Sequence, residues 1–138
     1  MTKFTTPFDS YVCEGDSITC EQGYFKFVAR IVRDEDANID DDDCHNVDQS
    51  VTGCDDKQQE QLLKCRQAWF DNQWSYCGVV VTAFYNHIKL VEIGSLWGIE
   101  ANYPDGDNSY LLEVANELLE ENFEQAEKLR QELSNKLK

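Results

Sequence analysis

Hydrophobic and polar residues alternate between residues 24 and 33, which is the pattern of a strand with one buried face. Residues 17–21 form a shorter segment of the same kind, separated from it by Gln22-Gly23. Glycine accepts the positive φ that tight hairpin turns require. The sequence therefore predicts a β-hairpin. One face of its longer strand is expected to be buried and consists of Phe25, Phe27, Ala29 and Ile31. The other face is expected to be partly solvent-exposed and consists of Tyr24, Lys26, Val28, Arg30 and Val32.

Residues 74–85 and 88–93 are rich in β-branched and aromatic side chains, which favour strands. Asn86-His87 joins them, and asparagine tolerates the left-handed conformation of a tight turn. A second hairpin is predicted here. The segment from Gly94 to Gly106 carries Trp97, Tyr103 and Pro104, and we expect it to be irregular.

Two segments have helical spacing. Asp55, with Gln58 three residues later, resembles a capping box and predicts a helix that ends near Phe70. Its expected buried stripe is Leu62, Leu63, Cys65, Trp69 and Phe70.

The C-terminal segment, residues 109–137, contains no glycine or proline and follows a turn at residues 105–108 that can cap a helix. Its apolar stripe consists of Leu111, Val114, Ala115, Leu118, Leu119, Phe123, Ala126, Leu133 and Leu137. The last part of this stripe can fold back on the domain or pair with a second copy, and we expect a homodimer.

The chain has 138 residues, of which 41% are hydrophobic, enough for one domain with its own core. The predicted fold class is α+β: an antiparallel sheet of two β-hairpins packed with a central helix and a long C-terminal helix. The longest apolar run, residues 77–85, is well short of the roughly 20 residues that span a membrane. The N-terminus lacks a secretory core, so a cytoplasmic location is expected. In that compartment the six cysteines (13, 20, 44, 54, 65 and 77) are expected to be thiols.

The net charge is −15, and its densest part is an acidic loop, residues 34–56, with ten acidic side chains and no lysine or arginine. Such a segment repels nucleic acid and itself, so a basic surface, a metal ion or water must compensate it. We predict that the loop binds a basic partner. The candidate partner-binding residues are Asp34, Glu35, Asp36, Asp40, Asp41, Asp42, Asp43 and Asp48.

Two metal sites are alternatives to a basic partner. An EF-hand frame starting at Asp34 has oxygen ligands at positions 1, 3, 5, 7 and 9, but Ile39 replaces the turn glycine and His45 replaces the bidentate glutamate. Soft ligands for zinc begin with an adjacent pair, and the cysteines among them are separated by nine, ten and eleven intervening residues, without a C-x2-C pair. They are Cys44, His45, Cys54, Cys65 and Cys77. Neither frame is complete, so no metal is expected.

Catalysis has little support in the sequence. The histidines are His45, in the acidic loop, and His87, at a predicted turn. Neither belongs to a recognisable nucleophile-base motif, and no phosphate-binding glycine pattern is present. The sequence therefore predicts a protein that is not an enzyme, with no catalytic residues and no cofactor.

Several motifs resemble a family of small acidic proteins carried by bacteriophages, prophages and other mobile elements. The likeness covers roughly residues 15–120. The motifs are DDDCHNVD at 41–48, AWF at 68–70, residues 74–80, LWGIEANYP at 96–104 and YLLEVANEL at 110–118. The family brings no established activity and no assigned catalytic residues. By analogy with other accessory proteins of such elements, the resemblance implies an inhibitor of host defence, such as an anti-CRISPR or anti-restriction protein.

The charge pattern agrees with that implication in one respect. A duplex carries one charge per about 1.7 Å of its axis, and the acidic loop is likewise a run of negative charge, with its four consecutive aspartates, Asp40 to Asp43, as the densest part. We expect a binding protein that blocks a Cas or restriction complex by mimicking nucleic acid, without contacting nucleic acid or membrane itself. The alternative is a divalent-metal-binding or structural accessory protein.

Overall fold

The computed structural model describes residues 2–41 and 56–136. One antiparallel sheet contains four strands in the order β1-β2-β3-β4. The strands are β1 (Ser17–Gln22), β2 (Phe25–Arg33), β3 (Ser75–Tyr85) and β4 (Ile88–Ala101). A 3₁₀ turn (Ile39–Asp41) and helix α1 (Asp56–Phe70) lie between β2 and β3, and helix α2 (Ser109–Lys136) follows β4. The predicted α+β class, with two hairpins and a long C-terminal helix, is confirmed.

Both hairpins close with two-residue turns. In the first, Gln22 pairs with Phe25, so the turn lies one residue later than predicted, and Gly23 has a φ of 61°. In the second, Tyr85 pairs with Ile88 across Asn86 and His87, whose φ values are 50° and 69°. Two consecutive left-handed residues match the twist of antiparallel strands. The predicted Asn86-His87 turn is confirmed.

The core lies on one face of the sheet. Phe25, Phe27, Ala29 and Ile31 are all buried, as their alternation predicts. Helix α2 packs on this face against β3 and β4, and the ring of its Phe123 stands 5.8 and 5.6 Å from those of Phe25 and Phe27. The buried residues of α2 are Leu111, Val114, Ala115, Leu118, Leu119 and Ala126. The predicted stripe is therefore confirmed as far as Ala126.

Strand β4 is longer than predicted, because residues 94–101 belong to it. Gly94 does not break the strand but lets α2 approach it: a Cβ there would lie 2.6 Å from Nδ2 of Asn122. β4 has more residues than the part of β3 with which it pairs. Register shifts between Cys77 and Val79 and farther along β3, together with a φ of 72° at Gly98, accommodate the additional residues of β4. Gly94, where the irregular segment was expected to begin, thus marks a close contact with α2, and Gly98 marks a bulge in β4.

The expected buried stripe of α1 is partly wrong. Leu63 and Phe70 are 49% and 52% exposed, whereas Cys65 and Ala68 are buried. The helix buries only a narrow face, against a small second cluster of Ile39, Ala68, Trp74 and Tyr76. The exposed ring of Phe70 instead makes a cation–π contact with Arg66, whose guanidinium carbon lies 5.3 Å from the ring centroid. The predicted capping residue Asp55 lies outside the described residues.

An extended N-terminal segment, which the sequence pattern did not reveal, completes the core with Phe4, Phe8 and Val12. Two asparagine side chains hold it. Oδ1 of Asn116 accepts the Phe4 N–H at 2.7 Å, and its Nδ2 donates to the Phe4 carbonyl at 3.1 Å. Asn102 makes the same pair of bonds to Val12, at 2.7 and 2.8 Å. The two side-chain amides therefore satisfy backbone N–H and C=O groups of this segment, as the backbone of a neighbouring strand would.

The second half of α2 packs on its own domain at least as far as Arg130, whose guanidinium lies 5.6 Å from the ring centroid of Tyr85. Leu133 is half-buried, and Leu137 lies outside the described residues. Self-association through the end of the helix stays a prediction. In the part of the chain that the structure describes, no helix is long and apolar enough to cross a membrane.

The asparagine contacts generate the first prediction. Asn116→Ala should lower the free energy of unfolding by about 1–3 kcal/mol, because it leaves two partly buried backbone groups of Phe4 unsatisfied. Gln125→Ala, an exposed change on the same helix, should stay within about 0.5 kcal/mol of the parent. Urea unfolding of both variants measures this. Equal stabilities would show that Asn116 does not hold the N-terminal segment.

Candidate partner-binding surface

Asp34 connects the start of the acidic loop to the sheet. Its Oδ2 accepts the N–H of Gly98 on β4 at 2.9 Å, and its Oδ1 accepts the N–H groups of Asp36 and Ala37, both at 3.2 Å. Its own N–H donates to the Tyr76 carbonyl on β3 at 3.0 Å. The carboxylate is thus engaged by three backbone donors. This predicted partner-binding residue has a role inside the fold.

Asp40 also has intramolecular contacts. Its N–H donates to Oδ1 of Asn38 at 2.9 Å, and its carboxylate accepts a hydrogen bond from the guanidinium of Arg66 on α1. The Asp40 side chain is 58% exposed, so a partner could still reach it. A pair this exposed contributes little stability, since solvent screens it.

Glu35 and Asp36 are the most available of the predicted residues. Both are exposed, and among the described residues their carboxylates make no hydrogen bond or ion pair. They border a groove of 750 Å³ that Glu14 and Trp97 also line. Asp41 ends the 3₁₀ turn. Asp42, Asp43 and Asp48 lie outside the described residues.

Neither of the two candidate sets of metal ligands comes together in residues 2–41 and 56–136. No three His, Cys, Asp or Glu side chains in these residues form a group that could hold a metal ion. Of the calcium frame, Asp34 turns toward Gly98 and Asp40 toward Arg66. Of the zinc ligands, Cys65 and Cys77 are buried. Cys44, His45 and Cys54 lie outside the described residues.

The thiols of Cys13, Cys20, Cys65 and Cys77 are free, as predicted. Burial, with a smaller contribution from the charge of Asp34, raises the pKa of Cys77 to about 12. Burial also raises the pKa of Cys20. Both thiols are therefore protonated and poor nucleophiles at neutral pH.

A cavity of 560 Å³ beside β3 is lined by residues that include Cys13, Cys77 and Ser75. No histidine is among its described lining residues, and His87 is exposed at the second hairpin turn. The carboxylate that lines the cavity belongs to Glu14, and its Oε2 accepts the Arg33 N–H at 2.8 Å. The expectation that the protein is not an enzyme stays a prediction.

A second acidic feature, not singled out in the sequence, runs along the solvent face of α2. Five of the exposed glutamates of α2 lie between residues 113 and 124, and none of the five makes an ion pair within the described residues. At 3.6 residues per turn they fall within an arc of about 100°. They are Glu113, Glu117, Glu120, Glu121 and Glu124, and we call them the α2 acidic stripe. The spacing of three or four residues between successive members of the stripe is the feature of the sequence that could have revealed it.

The start of α2 is fixed by local hydrogen bonds. The Asp107 carboxylate accepts the Ser109 N–H at 3.0 Å, and the N–H and hydroxyl of Ser109 together lower the pKa of Asp107. Asn108 accepts the Asn102 N–H at 2.8 Å and donates to the Ser10 carbonyl at 2.8 Å. The predicted capping turn therefore also anchors the helix to β4 and the N-terminal segment.

Comparison with known proteins gives no match: no family model, no curated protein and no solved structure is similar to this chain. The resemblance to the phage and mobile-element family stays a prediction.

The position of Asp34 generates the second prediction. Asp34→Ala should lower the free energy of unfolding by about 1–3 kcal/mol, because three backbone N–H groups lose their acceptor. Glu35→Ala, the neighbouring change with the same loss of charge, should stay within about 0.5 kcal/mol of the parent. Chemical denaturation distinguishes them. If both variants match the parent, Asp34 is a surface charge with no structural role.

The thiols generate the third prediction. At pH 8, which is well below the folded pKa of Cys77, an alkylating reagent should modify the exposed Cys13 within minutes and leave Cys65 and Cys77 unmodified until denaturant is added. Peptide mass spectrometry assigns the labelled positions. Rapid labelling of Cys77 in the native protein would contradict its burial in the core.

Proposed function

We propose that this protein is an accessory protein of a phage or other mobile element that binds and inhibits a host nucleic-acid-handling defence complex, such as a Cas or restriction complex. The observation that carries the proposal is the α2 acidic stripe. Its carboxylates stand on a helix of 28 residues that is packed on the sheet, so their spacing is fixed. A fixed array of carboxylates can occupy a basic groove without the entropy cost of ordering a loop.

The spacing of the stripe suits a groove that is built for nucleic acid. Glu113 and Glu124 are eleven residues apart, which is about 16 Å along a helix that rises 1.5 Å per residue. Five charges over that length correspond to one per about 4 Å, close to the one per about 3.4 Å along a single DNA strand. A channel lined by lysine and arginine would therefore meet a similar linear charge density in the α2 acidic stripe and in a single DNA strand.

The acidic loop adds to this surface in the proposal. Glu35 and Asp36 offer exposed carboxylates without an intramolecular partner in the described residues, and Asp40 is reachable beside Arg66. The remaining predicted contacts, Asp41, Asp42, Asp43 and Asp48, extend the same acidic segment. The protein would act in the host cytoplasm. It would not bind nucleic acid, because like charges repel.

The alternative is a divalent-metal-binding or structural accessory protein. Within residues 2–41 and 56–136 a metal site has no set of three ligands, so that function would need ligands from residues 42–55. The regular stripe on α2 favours a protein partner instead.

The fourth prediction tests the stripe in cells. Changing its five glutamates to glutamine should abolish protection of a phage in bacteria with an active, phage-targeting CRISPR or restriction system. Plaquing efficiency should fall by at least about tenfold, since each 1.4 kcal/mol of lost binding is a factor of ten. A control variant removes the same number of charges from other exposed positions and should protect like the parent. Its changes are Asp9→Asn, Glu21→Gln, Glu60→Gln, Asp71→Asn and Glu92→Gln.

The two failures of this test are distinct. A stripe variant that protects as well as the parent would show that α2 is not the binding surface. A parent protein that relieves none of a panel of CRISPR and restriction systems would contradict the proposed function itself.

A further inference from the structure

Three large hydrophobic side chains are exposed together where β4 meets the start of α2. Leu96, Trp97 and Tyr110 are 42%, 47% and 53% exposed, and all three line one groove of 470 Å³. We call these three residues the Trp97 surface. Single exposed hydrophobic residues are ordinary, but a cluster that lines a groove is typical of a binding site.

The exposed indole is held in a fixed position. It lies on Gly78 of β3, where a Cβ would stand 2.4 Å from Cε3 of Trp97, so a larger residue there would displace the ring. Its Nε1 donates to Oγ of Ser95 at 3.2 Å. The next residue, Gly98, donates its N–H to Asp34. A tryptophan that is half-exposed yet fixed loses little conformational freedom when a partner binds.

Carboxylates flank the Trp97 surface on two sides. Trp97 also borders the groove that contains Glu35 and Asp36. On the other side, Tyr110 precedes Glu113 by three residues and Glu117 by seven, so it lies on the same face of α2 as the acidic stripe. An aromatic centre with a charged rim is the usual anatomy of a protein–protein interface.

We propose that the Trp97 surface is the anchoring site for the partner: it takes an apolar side chain that is flanked by arginine or lysine on a basic protein. The apolar side chain fills the groove between Trp97 and Tyr110. The neighbouring cations pair with the carboxylates on either side, and a guanidinium can stack on the indole. A second copy of this chain would bring the same acidic rims, and with a net charge of −15 it fits less well than a basic protein. This inference rests on the proposed function.

Two synthetic peptides test the anchor separately from the charge. Each has six arginines around one central residue, which is leucine in the probe and serine in the reference. Binding to the full chain is measured at low salt by fluorescence anisotropy. The parent should bind the leucine peptide about fivefold more tightly, a ratio that corresponds to about 1 kcal/mol. Trp97→Ala should reduce that ratio to about one, with weak binding of both peptides retained.

Three further variants make the result specific. Tyr110→Ala alters the other wall of the groove and should also lower the ratio, which covers the case in which Trp97→Ala fails to fold. Ile88→Ala changes a similarly exposed residue at the far end of β4, about 30 Å along the strand from Trp97, and should leave the ratio unchanged. The glutamine variant of the stripe should weaken both peptides together, because it removes charge and leaves the groove intact.

Each remaining outcome contradicts a stated part of the account. Equal affinity of the parent for both peptides, or an unchanged ratio in folded Trp97→Ala and Tyr110→Ala, overturns the anchor and leaves the charge-based function standing. Failure of the parent to bind either peptide at low salt overturns the proposed function as well. A concentration-dependent dimer that Trp97→Ala abolishes would make a second copy the occupant and overturn the anchor for a basic partner.

Discussion

Burial of one face of the sheet beneath α2 and the N-terminal segment is the constraint on which the rest of this structure depends. Within the described residues, α2 and the N-terminal segment pack on the face formed by Phe25, Phe27, Ala29 and Ile31 and build the main core with it. Gly94 sets how closely the helix approaches β4. Trp97 lies on β4, the edge strand of the sheet, and remains half-exposed beside the start of α2. The solvent side of α2 likewise stays available to bear charge.

The same arrangement explains how the chain tolerates so many negative charges. Some carboxylates are used by the fold: Asp34 accepts three backbone N–H groups, and Asp40 meets Arg66. The glutamates of the α2 acidic stripe stand instead in water, where a high dielectric constant and salt weaken their mutual repulsion. Their repulsion still opposes folding to some extent. A basic partner surface would remove that repulsion on binding, and this is the physical basis of the proposed interaction.

The sequence predicted those parts of the fold in which hydrophobic residues recur with the period of a strand or a helix, and the turns with typical turn residues. Alternation in β2 identified its buried face, Asn86-His87 identified a hairpin, and helical spacing identified α2 up to Ala126. Contacts between distant segments were not predictable in this way. Phe4 is buried in the core, and Asn116, far along the chain, binds its backbone; no local pattern encodes that pairing.

The candidate surface was predictable to a smaller degree. The acidic loop attracted attention because its charges are consecutive, yet the structure uses Asp34 internally. The α2 acidic stripe has its charges distributed along a helix that was itself predicted, so helical spacing could have revealed it. Trp97 could not have been assigned, because the segment from Gly94 onward was expected to be irregular, whereas residues 94–101 belong to β4. Its fixed position depends on Gly78 of the neighbouring strand.

The central claim is that one continuous surface, from Glu35 and Asp36 across Trp97 to the α2 acidic stripe, contacts a basic protein. Zero-length carbodiimide cross-linking in host lysate tests it most directly, because the reagent joins a carboxylate to a lysine only when the two are in contact. The account predicts cross-links from Glu35, Asp36 and the stripe to lysines of one nucleic-acid-handling complex. Asp9, Glu21 and Asp71, which are equally exposed, should give few. Cross-links distributed over all exposed carboxylates, or concentrated on those three, would contradict it.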